Sequence, residues 1–452
     1  MLHLISSAVT DRSARGIAAA VSRLVHDGEL AAGTRLPTVR DLARVLGISP
    51  TTVSEAWSSL TRAGLIATRG RSGTVVLSGE RLRSRLRYTH MAGILGGAPQ
   101  DLSTGVPDHD LLPDLTETLS RLGDMRLTTS YLDEPVLPAL EEHLRSVWPY
   151  PAEQVTVVDG ALDALDRLIS VLVRFGDRVL VENPTFPPIL DLLEQTGAHA
   201  VGLELDESGI VPASLANAIQ SNPAVLLLQP RAHNPTGVSM TPERAAELAV
   251  VLGRHTSHPG VVIVEDDHAA GIASAPTVSL GTHLPGRTVH IRSFAKSLGP
   301  DLRLAAVAGP AGVISKLADR RMLGPGWSSR LLQHVLLGLL TSPGTTKLLD
   351  QAREEYARRR AAMLETLAHH GARATADDGI NLWLEVDDQQ AALVSLAANA
   401  IAVAPGSPFE VTALPVPHVR VTVGLVRDGF DELARILAGA ARSPGRLNRG
   451  TR

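Results

Sequence analysis

Cysteine is absent from the 452 residues. Disulfides, thiolate zinc sites and cysteine nucleophiles are thereby excluded, no metal centre is expected, and the absence fits a reducing, cytoplasmic setting. Lysine is nearly absent too: Lys296, Lys316 and Lys347 are the only three among 43 Lys and Arg. A chain that uses arginine wherever a cation is needed keeps few lysines. Each one left is a candidate for amine chemistry, which a guanidinium cannot perform. No apolar run approaches the length of a membrane span, and Val335–Leu340 reads as part of a core helix. The opening MLHLISSAV has neither a basic start nor a long apolar segment, so no signal peptide and no membrane partner are expected.

What is present is ordinary for a globular protein, 44% hydrophobic and 20% charged, and the length calls for at least two domains. The net charge of −4 is unevenly spread. Residues 1–87 hold 13 Arg, no Lys and 6 Asp plus Glu, a charge of +7, which leaves −11 for the remainder. A basic end on an acidic body suits a polyanion partner, or forms a solvated basic face.

The basic end reads as three helices and a hairpin. Residues 11–27 place Ile17, Ala20, Val21, Leu24 and Val25 on one face, and Gly28 stops the run. A second helix spans Thr38 to Leu46 and ends at Gly47. Ser49 then caps a third helix that has Pro50 at its first position, where the missing N–H costs nothing. That helix buries Val53, Ala56, Trp57 and Leu60. Leu65–Thr68 and Thr74–Leu77 flank the turn Arg69-Gly70-Arg71-Ser72-Gly73 as two short strands. Such an order makes a winged helix-turn-helix with the third helix as recognition helix. Its start presents the short hydroxyls of Ser49, Thr51, Thr52 and Ser54 beside free backbone N–H groups, which suit phosphate and base-edge contacts. Arg40, Arg69 and Arg71 can reach the DNA backbone or minor groove.

The stretch GELAAGTRLPTVRDLARVLGISPTTVSEAWSSLTRAGLIATRGRSGTVV resembles the GntR family winged helix almost throughout. The resemblance implies a double-stranded DNA operator and contacts from Arg40, Ser49, Thr51, Thr52, Ser54, Arg69 and Gly70. Pro50 and Ser54 stand where many relatives carry arginine, so base readout is weaker or differently aimed.

Residues 78–100, with four arginines in SGERLRSRLRY followed by glycines, read as a polar linker. Beyond them short β-branched runs alternate with helical stretches. The strand candidates are Val155–Val158, Arg178–Glu182, Ala224–Gln229, Val261–Glu265, Thr288–Ser293 and Leu304–Gly309. Alternation of this kind implies an α/β fold, a mostly parallel sheet covered by helices on both faces, with ligands beyond the carboxyl ends of the strands. The polar punctuation gathers there, at Asp159-Gly160, Asn183-Pro184, Asn234-Pro235-Thr236-Gly237, Glu265 to His268 and Ser293 to Arg303.

In order and spacing these resemble fold type I pyridoxal-phosphate enzymes, the aspartate aminotransferase fold. The carrier motif is RSFAKSLGPDLRLA, a lysine followed seven residues later by an arginine. The resemblance implies that Lys296 carries the cofactor aldehyde and that Arg303 and Ser293 hold its phosphate. It also implies that Gly160 and Ala161 open a phosphate-binding helix and that Asp266 keeps the ring nitrogen protonated. Asn234 is implied to bond the ring's phenolic oxygen, Phe186 to stack on the ring face, Arg420 to grip a substrate carboxylate and Tyr131 to reach a neighbouring subunit's phosphate. Winged helix plus aminotransferase domain is the layout of the MocR subfamily of regulators. It implies a winged helix over residues 1–77, a linker over 78–100, an aminotransferase-like domain over 101–452 (large part 101–315, small C-terminal α+β part 316–452) and a head-to-tail homodimer.

Several residues depart from the pattern. His268 replaces a tyrosine that bonds the ring oxygen, Ala295 replaces a serine, and Asp159 stands beside the expected phosphate site, either facing the phosphate or capping the helix and pointing elsewhere. Leu162-Asp163, Val136-Leu137 and Asn381 also differ. Lys296, Asp266, Asn234 and Arg303 are kept. The reading is a DNA-binding regulator that senses pyridoxal phosphate or an amino-acid or amine effector without efficient turnover. Two rivals stand beside it: a working aminotransferase carrying a DNA-binding domain, favoured by Arg420, and a regulator that has lost the cofactor, favoured by His268 and Asp159.

Overall fold

The structure is a computed structural model that describes residues 1–26, 29–31, 33–62, 66–68, 73–76, 87, 99–124, 130, 133–254 and 260–443. The expected wing residues Arg69, Gly70 and Arg71, the linker run 78–86, and Tyr131 lie outside these. The chain forms two compact units. One comprises Met1–Leu86 with Val173–Asp177 and Asp191–His199, the other the remainder.

In the first unit, α1 (Leu2–Ala8), α2 (Ala14–His26), α3 (Val39–Leu46) and α4 (Pro50–Arg62) precede a hairpin of β1 (Ile66–Thr68) and β2 (Thr74–Val76). Among these elements α1 was not legible from periodicity; it is seven residues long and buries Ile5 alone. The local chemistry sets the remaining boundaries. Thr38 Oγ1 accepts from the Asp41 amide (3.2 Å) to start α3, and Gly47 ends it in the left-handed region at φ 66°. Ser49 Oγ accepts from the Thr52 amide (3.1 Å) to start α4. Ile17, Val21, Leu42, Leu46, Val53, Trp57 and Leu60 close one core.

The second unit is built on an eight-stranded sheet. Its strands are β4 (Gln154–Val158), β5 (Arg178–Asn183), β6 (His199–Asp206), β7 (Gly209–Ile210), β8 (Val225–Leu228), β9 (Val262–Asp267), β10 (Thr288–Ser293) and β11 (Ala305–Gly309), in the order β4-β11-β10-β9-β8-β5-β6-β7. The centre is parallel, with β5 beside β8, β8 beside β9 and β9 beside β10. The expected mostly parallel sheet is mixed at its ends, where β11 runs antiparallel to β10 and to β4, and β7 to β6. The reason lies in the connection. Residues 294–304 hold no helix long enough for a crossover, so the chain turns back as a long hairpin. Lys296 rides on that loop, at the carboxyl end of β10. Val179, Leu180, Val181, Leu226, Leu227, Ile263, Val264, Val289 and Ile291 are all buried, as a sheet covered on both faces requires.

A smaller subdomain follows the long helix Pro343–His369. Its sheet runs β12 (Ala374–Thr375), β13 (Leu382–Glu385), β16 (His418–Val421), β15 (Ala404–Pro405). A short parallel pair joins β14 (Ile401–Ala402) to β3 (Gln100–Asp101), tying the start of this domain to its end. Among the described residues no helix is long and apolar enough to cross a membrane.

Candidate cofactor site and nucleic-acid interface

Asp266, the last residue but one of β9, faces away from its neighbours Glu265 and Asp267, because successive strand residues alternate sides. It is 2% exposed. Its Oδ2 accepts from Gln229 Nε2 at 2.8 Å, while Oδ1 is buried with no partner among the described residues. Burial raises the carboxyl to about 6, against the Gln229 hydrogen bond and the charge of Lys296. Lys296 is half-buried and its Nζ donates to the Gly105 carbonyl at 2.7 Å. Burial lowers its ammonium to about 8, helped by the Arg420 charge and opposed by Asp266. A buried acceptor in need of a donor and an amine that deprotonates readily thus share one site.

Asn234 and Arg420 supply the next layer. Arg420, on the central strand β16 of the small sheet and 1% exposed, donates through Nη1 to Asn234 Oδ1 (3.2 Å) and through Nη2 to the Ser103 carbonyl. Asn381 Nδ2 donates to the same Asn234 oxygen (3.4 Å). Two donors on Oδ1 fix the amide orientation and leave Asn234 Nδ2 as the donating end. Arg420 also sits 5.2 Å over the Phe409 ring. Phe186 packs, half-buried, against the cluster of Trp383, Ala404 and Phe409.

At the start of the helix Ala161–Leu172, Gly160 adopts φ 105° and a Cβ there would lie 3.4 Å from the Arg303 guanidinium. A side chain would fill the space between a helix start and an arginine, which is where an anion fits. Arg303 is itself left-handed (φ 49°) and exposed. Ser293 ends β10, 5% exposed. Asp159 turns to another partner: its Oδ2 accepts from Arg321 Nη2 (3.0 Å), and Arg321 Nη1 also donates to Asp163 (3.2 Å). Asp163, in the first turn of that helix, reaches back so that its Oδ2 accepts from the Asp159 amide (3.2 Å). Arg321 thus balances both carboxylates, and nothing in the sequence between them signalled it.

His268 stands where the resemblance has a tyrosine, and its one N–H is already engaged. Burial, with Lys296 nearby, lowers it to about 3, so the ring is neutral. Its Nε2 lies 2.9 Å from the Ala232 carbonyl and must carry the one N–H, which leaves Nδ1 an acceptor. Behind Asp266, on the other face of the sheet, lies a buried ion network that the sequence did not reveal. Arg231 grips Asp267 with two hydrogen bonds (2.8 and 2.7 Å), and His290 Nδ1 meets Glu265 Oε2 at 2.7 Å. Burial works against charge on His290, but Asp267 and Glu265 raise it to about 9.

In the first unit, Arg40, Ser49, Thr51 and Ser54 are exposed, clustered at the start of α4 and on α3 before it. Thr52 is half-buried, with its hydroxyl 2.8 Å from that of Ser49.

Comparison with known proteins agrees with this geometry. Residues 100–437 match the family aminotransferase class I and II. Residues 13–76 match the bacterial regulatory proteins of the gntR family. The chain is 35% identical over 429 residues to the vitamin B6 salvage pathway transcriptional repressor PtsJ of Salmonella typhimurium, spanning 93% of this chain and 96% of that one. It is 26% identical over 360 residues to the HTH-type pyridoxine biosynthesis transcriptional regulator PdxR of Corynebacterium glutamicum, spanning 77% of each. The solved structure of LysN, an alpha-aminoadipate aminotransferase from Thermus thermophilus, aligns with a TM-score of 0.72 at 22% identity, covering 81% of this chain and 98% of that one. At that identity the likeness shows the fold alone.

Proposed function

The chain belongs to the MocR subfamily of GntR-type transcriptional regulators, a DNA-binding helix-turn-helix joined to an aminotransferase-like domain, and from that premise we propose that it senses pyridoxal phosphate itself. The observation that carries the reading is the buried, unpartnered Oδ1 of Asp266 in the same site as Lys296. Relatives named for vitamin B6 salvage and pyridoxine biosynthesis support the choice of effector.

The residues fit the group. When bound, pyridoxal phosphate supplies an aldehyde for the lysine amine and a protonated, electron-withdrawing ring. Lys296, kept partly as free amine near neutral pH, would hold the aldehyde carbon. Asp266 Oδ1 would hold the proton at the ring nitrogen, and Asn234 Nδ2 would donate to the phenolic oxygen. Gly160, Ala161, Ser293 and Arg303 would hold the phosphate, and Phe186 the ring face. His268 would border the ring as an acceptor, and Tyr131 would reach the partner's phosphate. The carbonyls of Ser103 and Gly105 hold Arg420 and Lys296. The protein would act as a head-to-tail homodimer. Met322, Leu323, Leu331 and Leu332 are exposed along one short stretch, an apolar surface that a second copy would cover.

The test joins spectrum to DNA. Purified protein given pyridoxal phosphate should show a visible absorption band and a change in operator affinity, both erased in Lys296→Ala. A band without any change in DNA affinity would refute sensing. A second reading, turnover of amino acids, is favoured by the buried Arg420 beside Asn234. Half-transamination against a panel of amino acids would reveal it, with loss in Arg420→Ala.

On the DNA side, Arg40 would contact backbone phosphate. Arg40→Ala should weaken binding about equally across operator sequences and reduce the slope of log affinity against log salt by about 1. An unchanged slope would remove Arg40 from the interface.

A further inference from the structure

Gln229, at the carboxyl end of the apolar run of β8, is 3% exposed and makes three buried hydrogen bonds to three different elements. Its Nε2 donates to Asp266 Oδ2 at 2.8 Å. Its Oε1 accepts from the Asn234 amide at 2.9 Å. Its own backbone N–H donates to Glu182 Oε2, on β5, at 2.8 Å. Both ends of one amide are therefore used, and each end fixes a different group of the candidate site. The first two bonds also fix the amide against a flip, since a carboxylate can only accept and a backbone N–H can only donate.

We infer that Gln229 is a positioning residue for the cofactor ring: one side chain sets both the free oxygen of Asp266 and the loop that presents Asn234. The inference rests on the reading that the site holds pyridoxal phosphate, and adds a residue to which no role at the site has been given. Binding of Oδ2 by Gln229 is what leaves Oδ1 as the one open oxygen of Asp266. The bond to the Asn234 amide holds the HNPTG loop at a fixed distance from that carboxylate. Contacts to two separate atoms of one rigid ring need this distance held to about half an ångström.

The surroundings explain why a neutral amide serves here. Asp266 faces Gln229 and Lys296, with Asp267 and His290 behind it across the sheet and Glu182 beyond Gln229. Burial, with the Asp266 charge, pushes the Glu182 carboxyl well above its usual range, against the hydrogen bond from the Gln229 amide. His233, 3.4 Å from Glu182, is lowered to about 3 by burial and is neutral. Gln229 therefore separates two buried carboxyl groups without bringing a charge of its own: its side chain favours the ionised form of Asp266, and its backbone N–H that of Glu182.

The test uses the full-length protein and pyridoxal phosphate as the probe. Gln229→Met keeps the volume and removes both side-chain bonds. Its dissociation constant should rise about ten- to a hundredfold, the scale for a hydrogen bond to a charged group. The pH at which affinity reaches its alkaline plateau should move upward, because the carboxylate loses the donor that favours its charged form. Gln229→His offers one donor and one acceptor at opposite ends of a neutral ring and should recover at least part of both effects. A residue that merely packs would change thermal stability and leave the pH midpoint in place. An unchanged midpoint and dissociation constant in Gln229→Met overturn the inference, as does a Gln229→His protein no better than Gln229→Met. If Gln229→Met does not fold, Gln229→His is read against wild type, and a fold with more than a hundredfold weaker binding overturns it. Failure of the underlying reading shows separately, as a wild-type protein with no absorption band sensitive to Lys296→Ala.

Discussion

Asp266→Asn should bind pyridoxal phosphate about a hundredfold more weakly than wild type and yet be no less stable when empty. The two halves of this result come from one fact. In the empty protein the Asp266 carboxyl is 2% exposed, has one side-chain donor and an unpartnered Oδ1, and is raised from 3.8 to about 6. A group whose folded value lies above its unfolded value contributes stability that is complete below the unfolded value and lost as pH rises through the folded one. Two units correspond to roughly 3 kcal/mol. The empty protein should therefore lose stability between about pH 4 and pH 6 from this group, and the asparagine variant should not. A protonated ring nitrogen against Oδ1 would remove that penalty. Pyridoxal phosphate should accordingly raise the melting temperature of wild type more at pH 7.5 than at pH 5, and that of Asp266→Asn by a similar amount at both. Removing one partner of a buried charged pair costs about 2–5 kcal/mol, and a hundredfold sits inside that range. Equilibrium dialysis and thermal melts at the two pH values measure both halves. A dissociation constant within about threefold of wild type would take Asp266 out of the ring-nitrogen role.

How much of this was legible in the sequence depended on whether a residue's partner was near in the chain. The Ser49 cap and Pro50 start of α4 are local chemistry, and both stand where the pattern put them. The strands β4, β5, β8, β9, β10 and β11 read correctly to within about two residues, since buried parallel strands are continuous β-branched or leucine runs. β6 did not, because His199–Asp206 is mostly half-buried and its alternation is weak. Asp266 was legible as a carboxylate closing an apolar strand. Gln229 closes the run LLLQ in the same manner, and the same signal would have found it. Arg321 and Arg231 were beyond reach. Their partners lie 162 and 36 residues away, and only the folded sheet brings them together. His268 shows a different limit. Its place in the site followed from the motif, but the direction of its hydrogen bond depends on the Ala232 carbonyl, which adopts its position through a left-handed residue with φ 46°.

Asp267→Ala should be the most damaging single change to the empty protein, costing about 3–5 kcal/mol, because it strands two buried cations. Arg231 spends both arms of its fork on Asp267, and His290 Nε2 stands 3.6 Å from the same carboxylate. Burial alone would raise Asp267, but His290 and Arg231 hold it well below the ordinary range. Its contribution is present above about pH 4 and lost only in stronger acid. His290 runs the other way. Raised from 6.5 to about 9, it contributes fully below its unfolded value and loses that contribution as pH rises through 9. Wild type should therefore weaken between pH 7 and pH 10 by urea denaturation. Asp267→Asn, which keeps the shape but not the charge, should be destabilised at pH 7 and show a shallower alkaline loss. Equal alkaline losses in the two proteins would mean that Asp267 does not hold the proton on His290. The network also reaches the cofactor site through the strands themselves. His290 pairs with Glu265 and Arg292 with Asp267 across β9 and β10. A slip of one residue would turn Asp266 to the opposite face and Glu265 or Asp267 toward Lys296. Ion pairs on the back of the sheet thus hold the register that aims Asp266 forward, so Asp267→Asn protein that remains folded should also bind pyridoxal phosphate more weakly, although Asp267 faces away from the ring.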